Sequence, residues 1–236
     1  MTTATPAAHG ADARFGHVQS VWRALDLLEA LAGEEPAGLV ELAGRAGLQP
    51  STARRLLSTM AARGYVVQSR RSGGYLLGHR TLELRGPVQR RTARLRRVAR
   101  PHLERARRVC GETISLAVPV ESTSVLWIDE VMGAPPATPR LGRCLPAHAS
   151  AAGKALLADA RERGFAIEDE DLEPGVVAVA AAVTVDGAPV AAIGVSGPAA
   201  RLRAVGVDEL GEMASIFAGE LAADLRRAAA ARPAAA

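Results

Sequence analysis

Gly47 and Pro50, three residues apart, constrain the course of this chain more tightly than any other feature of its sequence. Leu39 to Ala46 reads as a short helix. Gly47 tolerates the positive φ that closes a helix, and the fixed φ of Pro50 suits the first turn of the next one. The outcome is helix, tight turn, helix, with Ala43 placed where two crossing helices must approach closely. In the helix opened by Pro50, Ala53, Leu56, Leu57 and Met60 share one face, which leaves Ser51, Thr52, Arg54, Arg55, Ser58 and Arg63 for the other. Upstream, His17 to Ala32 sets Val18, Val21, Trp22, Leu25, Leu28 and Leu31 at three- and four-residue spacing, an amphipathic helix with one apolar stripe. Downstream, Tyr65 to Gln68 and Tyr75 to Leu77 are short β-type runs joined by a glycine turn, a hairpin with Arg70 and Arg71 near its tip. Three helices and such a hairpin predict a winged helix-turn-helix over residues 17–80. Its third helix suits the major groove, and its wing arginines suit phosphates or the minor groove. Ser51 and Thr52 can donate to phosphate at the helix start. The predicted DNA contacts are therefore Ser51, Thr52, Arg54, Arg55, Ser58, Arg70 and Arg71.

Charge supports that reading. The chain carries a formal net charge of +4, but residues 1–110 hold 19 Arg and no Lys against 8 acidic residues, a balance of +11, while residues 111–236 stand at −7. A basic first half beside an acidic second half suggests a nucleic-acid module joined to a part with another task. Aromatic residues make up only 3% of the chain, too few to stack single-stranded bases, so double-stranded DNA is the expected partner. The longest apolar run, Val176 to Val183, is far below the roughly 18 residues of a membrane span, and no membrane partner is expected. Residues 1–16 lack the basic start and apolar block of a secretory signal and read as a disordered leader, so a cytoplasmic location is expected. Two cysteines, Cys110 and Cys144, are too few for a disulfide framework or a cysteine metal site.

Residues 81–100 read as a strongly basic linker helix that Pro101 ends or kinks near Arg100. A second domain is predicted over 101–228, followed by a disordered tail at 229–236. Within it, Thr113 to Val120 pairs with Thr123 to Val131, and Val176 to Val185 pairs with Pro189 to Ser196 through Asp186-Gly187, a strong hairpin signal. Ala149 to Ala158 reads as a helix, and Leu210, Met213, Ile216, Phe217 and Leu221 mark an amphipathic closing helix. The fold class is α+β with an antiparallel sheet in the second domain.

Six segments in order now resemble the IclR-type transcriptional regulators. They are VWRALDLLEALA, GLQPSTARRLLSTMAARGYV, VARPHLERARRVCGETISLAV, LPAHASAAGKALLA, RGFAIEDEDLEPG and AAVTVDGAPVAAIGVSGP, which run from Val21 to Pro198 within a resemblance that covers about Val18 to Leu225. The resemblance implies a GAF-like C-terminal domain that binds a small metabolite, in a protein that acts as a homodimer or homotetramer on an operator. Carried over by position, the effector site involves Leu145, Ala151, Ala152, Glu168, Ala178, Gly194 and Ser196. Backbone N–H groups near Ala151 and Ala152 would receive a carboxylate, so the implied effector is a small organic or aromatic acid. Ala178 and Gly194 stand where relatives can carry Cys or Ser, which favours a more apolar or larger ligand. The chain also departs in length, because Ala158 reaches Arg163 through only Asp159-Ala160-Arg161-Glu162, a shortened C-terminal domain.

Enzyme signatures fail on their own requirements. Gly153-Lys154 lacks both the upstream glycine and the following Ser or Thr of a phosphate-binding loop, and Pro198 occupies the second glycine position of a nucleophile elbow at Ser196. His9, His17, His79, His102 and His148 show no metal-ligand spacing, and no cofactor is expected. The sequence therefore predicts a non-enzymatic transcription regulator, a repressor or an activator, whose operator affinity an effector changes. The alternative is a constitutive DNA-binding protein whose shortened second domain only dimerises.

Overall fold

The computed structural model describes residues 18–33, 35–120, 122–136, 138–157 and 163–230. The predicted leader at 1–16, most of the tail and the short connection at 159–162 lie outside them. Two compact units divide the chain between Val88 and Gln89.

The first unit contains α1 (Gln19–Ala30), α2 (Leu39–Arg45), α3 (Pro50–Ala62), β1 (Val66–Gln68) and β2 (Tyr75–Leu77). Pro50 sits at the start of α3, and Gly47 adopts φ +62°, where a side chain would be strained. The Leu48 N–H closes the turn on the Ala43 carbonyl at 2.8 Å. Ala43 is 1% exposed, small enough for the helices to cross closely, and Leu27, Leu31, Leu42, Leu57 and Val66 fill the core around it. The strands pair antiparallel with Val66 opposite Leu77, as the glycine turn required. Helix α1 departs from the predicted stripe. Leu27 is fully buried with Leu31, whereas Val18, Val21, Trp22 and Leu25 are 45–64% exposed. The helix carries two overlapping apolar faces, and the one through Ala24, Leu27, Leu28 and Leu31 packs on the core.

Helix α4 (His79–Cys110) contains the division between the units, and of the two outcomes predicted near Arg100, an end or a kink, the end does not occur. Pro101 removes one backbone donor, yet Ala99, Leu103 and Ala106, each at most 1% exposed, keep the same face in the core of the second unit. Tertiary burial outweighs the single lost bond.

The second unit is built on a six-stranded antiparallel sheet in the order β5-β4-β3-β8-β7-β6. Its strands are β3 (Thr113–Pro119), β4 (Ser124–Val131), β5 (Cys144–Pro146), β6 (Ala166–Asp169), β7 (Val176–Val185) and β8 (Ala188–Pro198). Strands β7 and β8 turn at Asp186 and Gly187, both at positive φ. One face of the sheet carries Ile114, Leu116, Val179, Val183, Ile193 and Val195, which pack with α4, α6 (Ala199–Val205) and α7 (Val207–Ala230). In α7, Leu210, Phe217 and Leu221 point inward, but Ile216 is 62% exposed, off the predicted face.

The opposite face is lined with small residues: Ala117, Ala166, Ala178, Ala180, Ala192 and Gly194. They let α5 (Ala151–Leu156) lie close against the sheet. This helix is shorter than the Ala149 to Ala158 span predicted, and its start is held by Ser150 Oγ, which accepts the Gly153 N–H at 3.1 Å. A Cβ on Gly153 would come within 2.1 Å of the Ala147 carbonyl oxygen. Gly153→Ala is therefore expected to lower stability by about 1–3 kcal/mol, read as a shift in the denaturant midpoint. An unchanged midpoint would show that α5 can move off the sheet at no cost.

Candidate functional site

On the first unit, Ser51, Arg54, Arg55 and Ser58 of α3 are exposed and Thr52 is half-buried, while Ala53 and Leu57 anchor the helix from below. Arg70 and Arg71 are exposed in the hairpin turn. That turn is held by the Ser69 N–H on the Gly74 carbonyl at 2.7 Å and by Gln68 Nε2 donating to the Gly73 carbonyl at 2.9 Å. Arg54 and Ser58 line a concavity of about 430 Å³ between α3 and the hairpin, together with Gln68 and Tyr75. Arg55, Arg70 and Arg71 lie outside it. Gln68 was not among the residues predicted to act, although its place beside the glycine turn marks it as part of the wing. Among the described residues of this unit the carboxylates of Glu41 and Glu83 pair with Arg45 and Arg80. None of Arg54, Arg55, Arg70 and Arg71 takes part in an ion pair there, so α3 and the wing present uncompensated positive charge.

On the second unit, Glu168, Ala178 and Ser196 are register partners across β6, β7 and β8, with Thr113 next on β3. Gly194 lies in the neighbouring row between Ala180 and Ser115, and Ala151 and Ala152 are buried in α5 over the same face. Leu145 belongs to β5 at the other edge of the sheet and is half-buried against the same cluster. Glu168 is a strand residue with no exposed surface.

Burial of that carboxylate requires a counter-charge, and Arg140 supplies it. Its Nη1 and Nη2 donate to the two Glu168 oxygens at 3.0 Å each, with the Arg140 side chain only 4% exposed. The Ala151 N–H reaches the same carboxylate at 3.4 Å. The helix start expected to receive an effector carboxylate thus holds one from the protein itself. The guanidinium also lies over the Trp127 ring, 5.8 Å from its centroid, and Trp127 Nε1 donates to Ser115 Oγ at 3.2 Å. Arg140 escaped the sequence reading because its significance depends on a partner 28 residues away.

Beside this pair a cleft of about 240 Å³ opens, lined by Thr113, Thr138, Arg140, Glu173, Gly175 and Ser196 among others. The Thr138 hydroxyl donates to Glu173 Oε1 at 3.0 Å, and Thr113 Oγ1 accepts the Gly133 N–H at 2.9 Å. Ser196 is the predicted site residue that reaches this cleft. Among the described residues no group of three or more His, Cys, Asp or Glu could hold a metal ion, and no helix is long and apolar enough to cross a membrane.

Removing one half of the buried pair strands the other. Arg140→Ala is expected to cost about 3–5 kcal/mol of unfolding free energy, whereas Arg140→Met combined with Glu168→Leu recovers most of the loss. Equal losses in the single and double variants, measured by denaturant titration, would show that the charges are not coupled.

Comparison with known proteins agrees with both halves. The IclR helix-turn-helix domain matches residues 20–70. The bacterial transcriptional regulator IclR C-terminal domain matches in two pieces, 90–160 and 157–223, that meet at the shortened connection. The acetate operon repressor of Salmonella typhimurium is 32% identical over 84% of this chain and 86% of its own length. The transcriptional repressor IclR of Escherichia coli K12 has the same identity and coverage. Among solved structures, an IclR homolog from Microbacterium hydrocarbonoxydans complexed with 4-hydroxybenzoate superposes with a TM-score of 0.67 at 24% identity, covering 88% of this chain and 99% of that one. An IclR family regulator from Brucella abortus superposes with a TM-score of 0.68 at 20% identity, covering 93% of this chain and 96% of that one. These relatives are transcription regulators rather than enzymes.

Proposed function

Because the chain belongs to the IclR family of transcriptional regulators, with its helix-turn-helix and C-terminal domains both matched, we propose that it is an effector-responsive repressor that reads its operator through α3 and the wing. The observation that carries this reading is the set of four exposed arginines, Arg54, Arg55, Arg70 and Arg71, with no ion-pair partner among the described residues. Ser51, Thr52 and Ser58 add hydroxyl donors on the same helix, and a phosphate strand fits the concavity beside Arg54. The effector site is the α5 face of the sheet, where Ala151, Ala152, Glu168, Ala178, Gly194 and Ser196 converge, with Leu145 at its margin. The relative that carries 4-hydroxybenzoate supports a small organic ligand there.

Operator binding is proposed to be dimeric, since a single winged module buries too little surface for tight specific recognition. The exposed apolar face of α1, with Val21 and Leu25 more than half exposed, supports contact with a second copy. A tetramer would be a pair of such dimers.

Arg54→Ala with Arg55→Ala is expected to weaken operator binding at least tenfold and to lower the slope of log K against log salt by about 1–2, in titrations of a labelled duplex from the upstream DNA. Unchanged affinity and slope would remove α3 from the interface. Val21→Glu with Leu25→Glu is expected to shift sedimentation toward the monomer and to weaken operator binding in parallel. A dimer that persists in this variant would place the subunit contact elsewhere. Binding that no small molecule shifts would favour a constitutive protein over an effector-responsive one.

A further inference from the structure

The arginines of α4 fall into two groups. Arg96 and Arg100 reach Asp129 at 3.8 and 3.0 Å, Arg100 also holds Glu104, and Arg105 holds Glu220. Arg140, Arg201 and Arg203 in the same unit each pair with a carboxylate as well. Arg90, Arg94 and Arg97 have no ion-pair partner among the described residues; the first and last are exposed and Arg94 is half-buried. Their i, i+4, i+7 spacing sets them on one side of the helix, within about 60° of arc. That side lies opposite Ala99, Leu103 and Ala106, which are buried in the core.

Helix stability does not account for the stripe. Like charges four residues apart oppose helix formation, and from Leu84 to Leu103 the sequence holds no Asp or Glu to relieve Arg90 and Arg94. A protein partner fits this face poorly too. Between Arg90 and Arg108 the helix exposes no large apolar side chain, and a stable protein interface has an apolar centre. A regularly charged polyanion fits better. From Arg90 to Arg97 the helix rises about 10 Å, and duplex DNA carries one charge per roughly 1.7 Å of its axis, so the guanidinium groups meet phosphates without any base being read. The helix also follows β2 of the wing after a single residue, Gly78.

We infer that α4 is a second DNA contact, in which Arg90, Arg94 and Arg97 hold backbone phosphates of the duplex flanking the site read by α3, whatever the flanking sequence. The three residues fall past the division at Gln89, outside the unit that carries the recognition helix and the wing, so they add to its arginines rather than share their role. This inference rests on the reading of α3 and the wing as the operator interface.

The test titrates the full-length protein against two duplexes: the shortest upstream fragment bound sequence-specifically, and the same fragment lengthened at each end by one helical turn, about 10 bp. The longer duplex is expected to bind about tenfold more tightly, with a slope of log K against log salt steeper by about 2–3. Lengthening with scrambled sequence is expected to give the same gain, and a gain confined to the natural flanks would overturn a backbone contact. Arg90→Ala with Arg94→Ala and Arg97→Ala is expected to abolish the gain and leave binding to the shorter duplex unchanged. Arg90→Lys with Arg94→Lys and Arg97→Lys is expected to keep it, because a phosphate accepts a point charge. Equal wild-type affinity for the two lengths would overturn the flanking contact and leave α3 as the reader. A gain that survives in the alanine variant, or an equal loss on both lengths, would overturn the assignment to α4. No specific binding to any upstream fragment would overturn the operator reading and this inference with it.

Discussion

The second domain depends on a carboxylate placed where water cannot reach it. Glu168 lies on β6 with no exposed surface, and an ion taken from water without compensation costs several kcal/mol. Its fork of two bonds from Arg140 is the geometry in which a guanidinium repays most of that cost, and the Ala151 N–H adds a third donor. Three separate pieces of chain must therefore be in place together: the segment carrying Arg140, the edge strand β6 and the start of α5. Trp127 sets the plane against which the guanidinium rests, so β4 is drawn into the same arrangement. The cleft beside the pair takes its walls from the segment carrying Thr138 and Arg140, the start of β3, residues 173–176 and the end of β8.

The two faces of the sheet differ because they meet different neighbours. Long helices with wide apolar stripes cover one face, and branched residues there interdigitate to fill the space at ordinary packing density. The other face receives one short helix whose own surface is alanine and glycine, and alanines on β3, β7 and β8 let it sit close. Small residues on both sides leave few polar side chains near the sheet. Hydroxyls of Thr113, Thr138 and Ser196 and the charged groups at the margin then supply the polarity of the cleft.

Different rules govern the DNA-binding unit, whose core is ten buried side chains and whose working surface is defined by charge left over. Glu41 and Glu83 neutralise Arg45 and Arg80 at positions away from α3, and the recognition helix and wing keep their arginines available. Such a surface attracts a polyanion before any base is read, which suits a protein that must find one site among many.

Local chemistry made much of this legible. The turn at Gly47, the helix start at Pro50, the Asp186-Gly187 hairpin and the glycine wing each depend on backbone preferences of a few adjacent residues, so the winged helix-turn-helix and the β7–β8 hairpin were fixed by the chain itself. The family resemblance grouped Glu168, Ala178, Gly194 and Ser196 as one site, and the strand register that brings them to one sheet face is a property of the folded chain. Where alternatives were close in local energy, tertiary packing decided. It chose the Leu27 face of α1 over the Leu25 face, and it carried α4 through Pro101 because burying Leu103 and Ala106 outweighs one missing hydrogen bond. It also joined Arg140 to Glu168, since the need for a counter-charge arises only once a carboxylate is buried, and burial is a property of the folded chain.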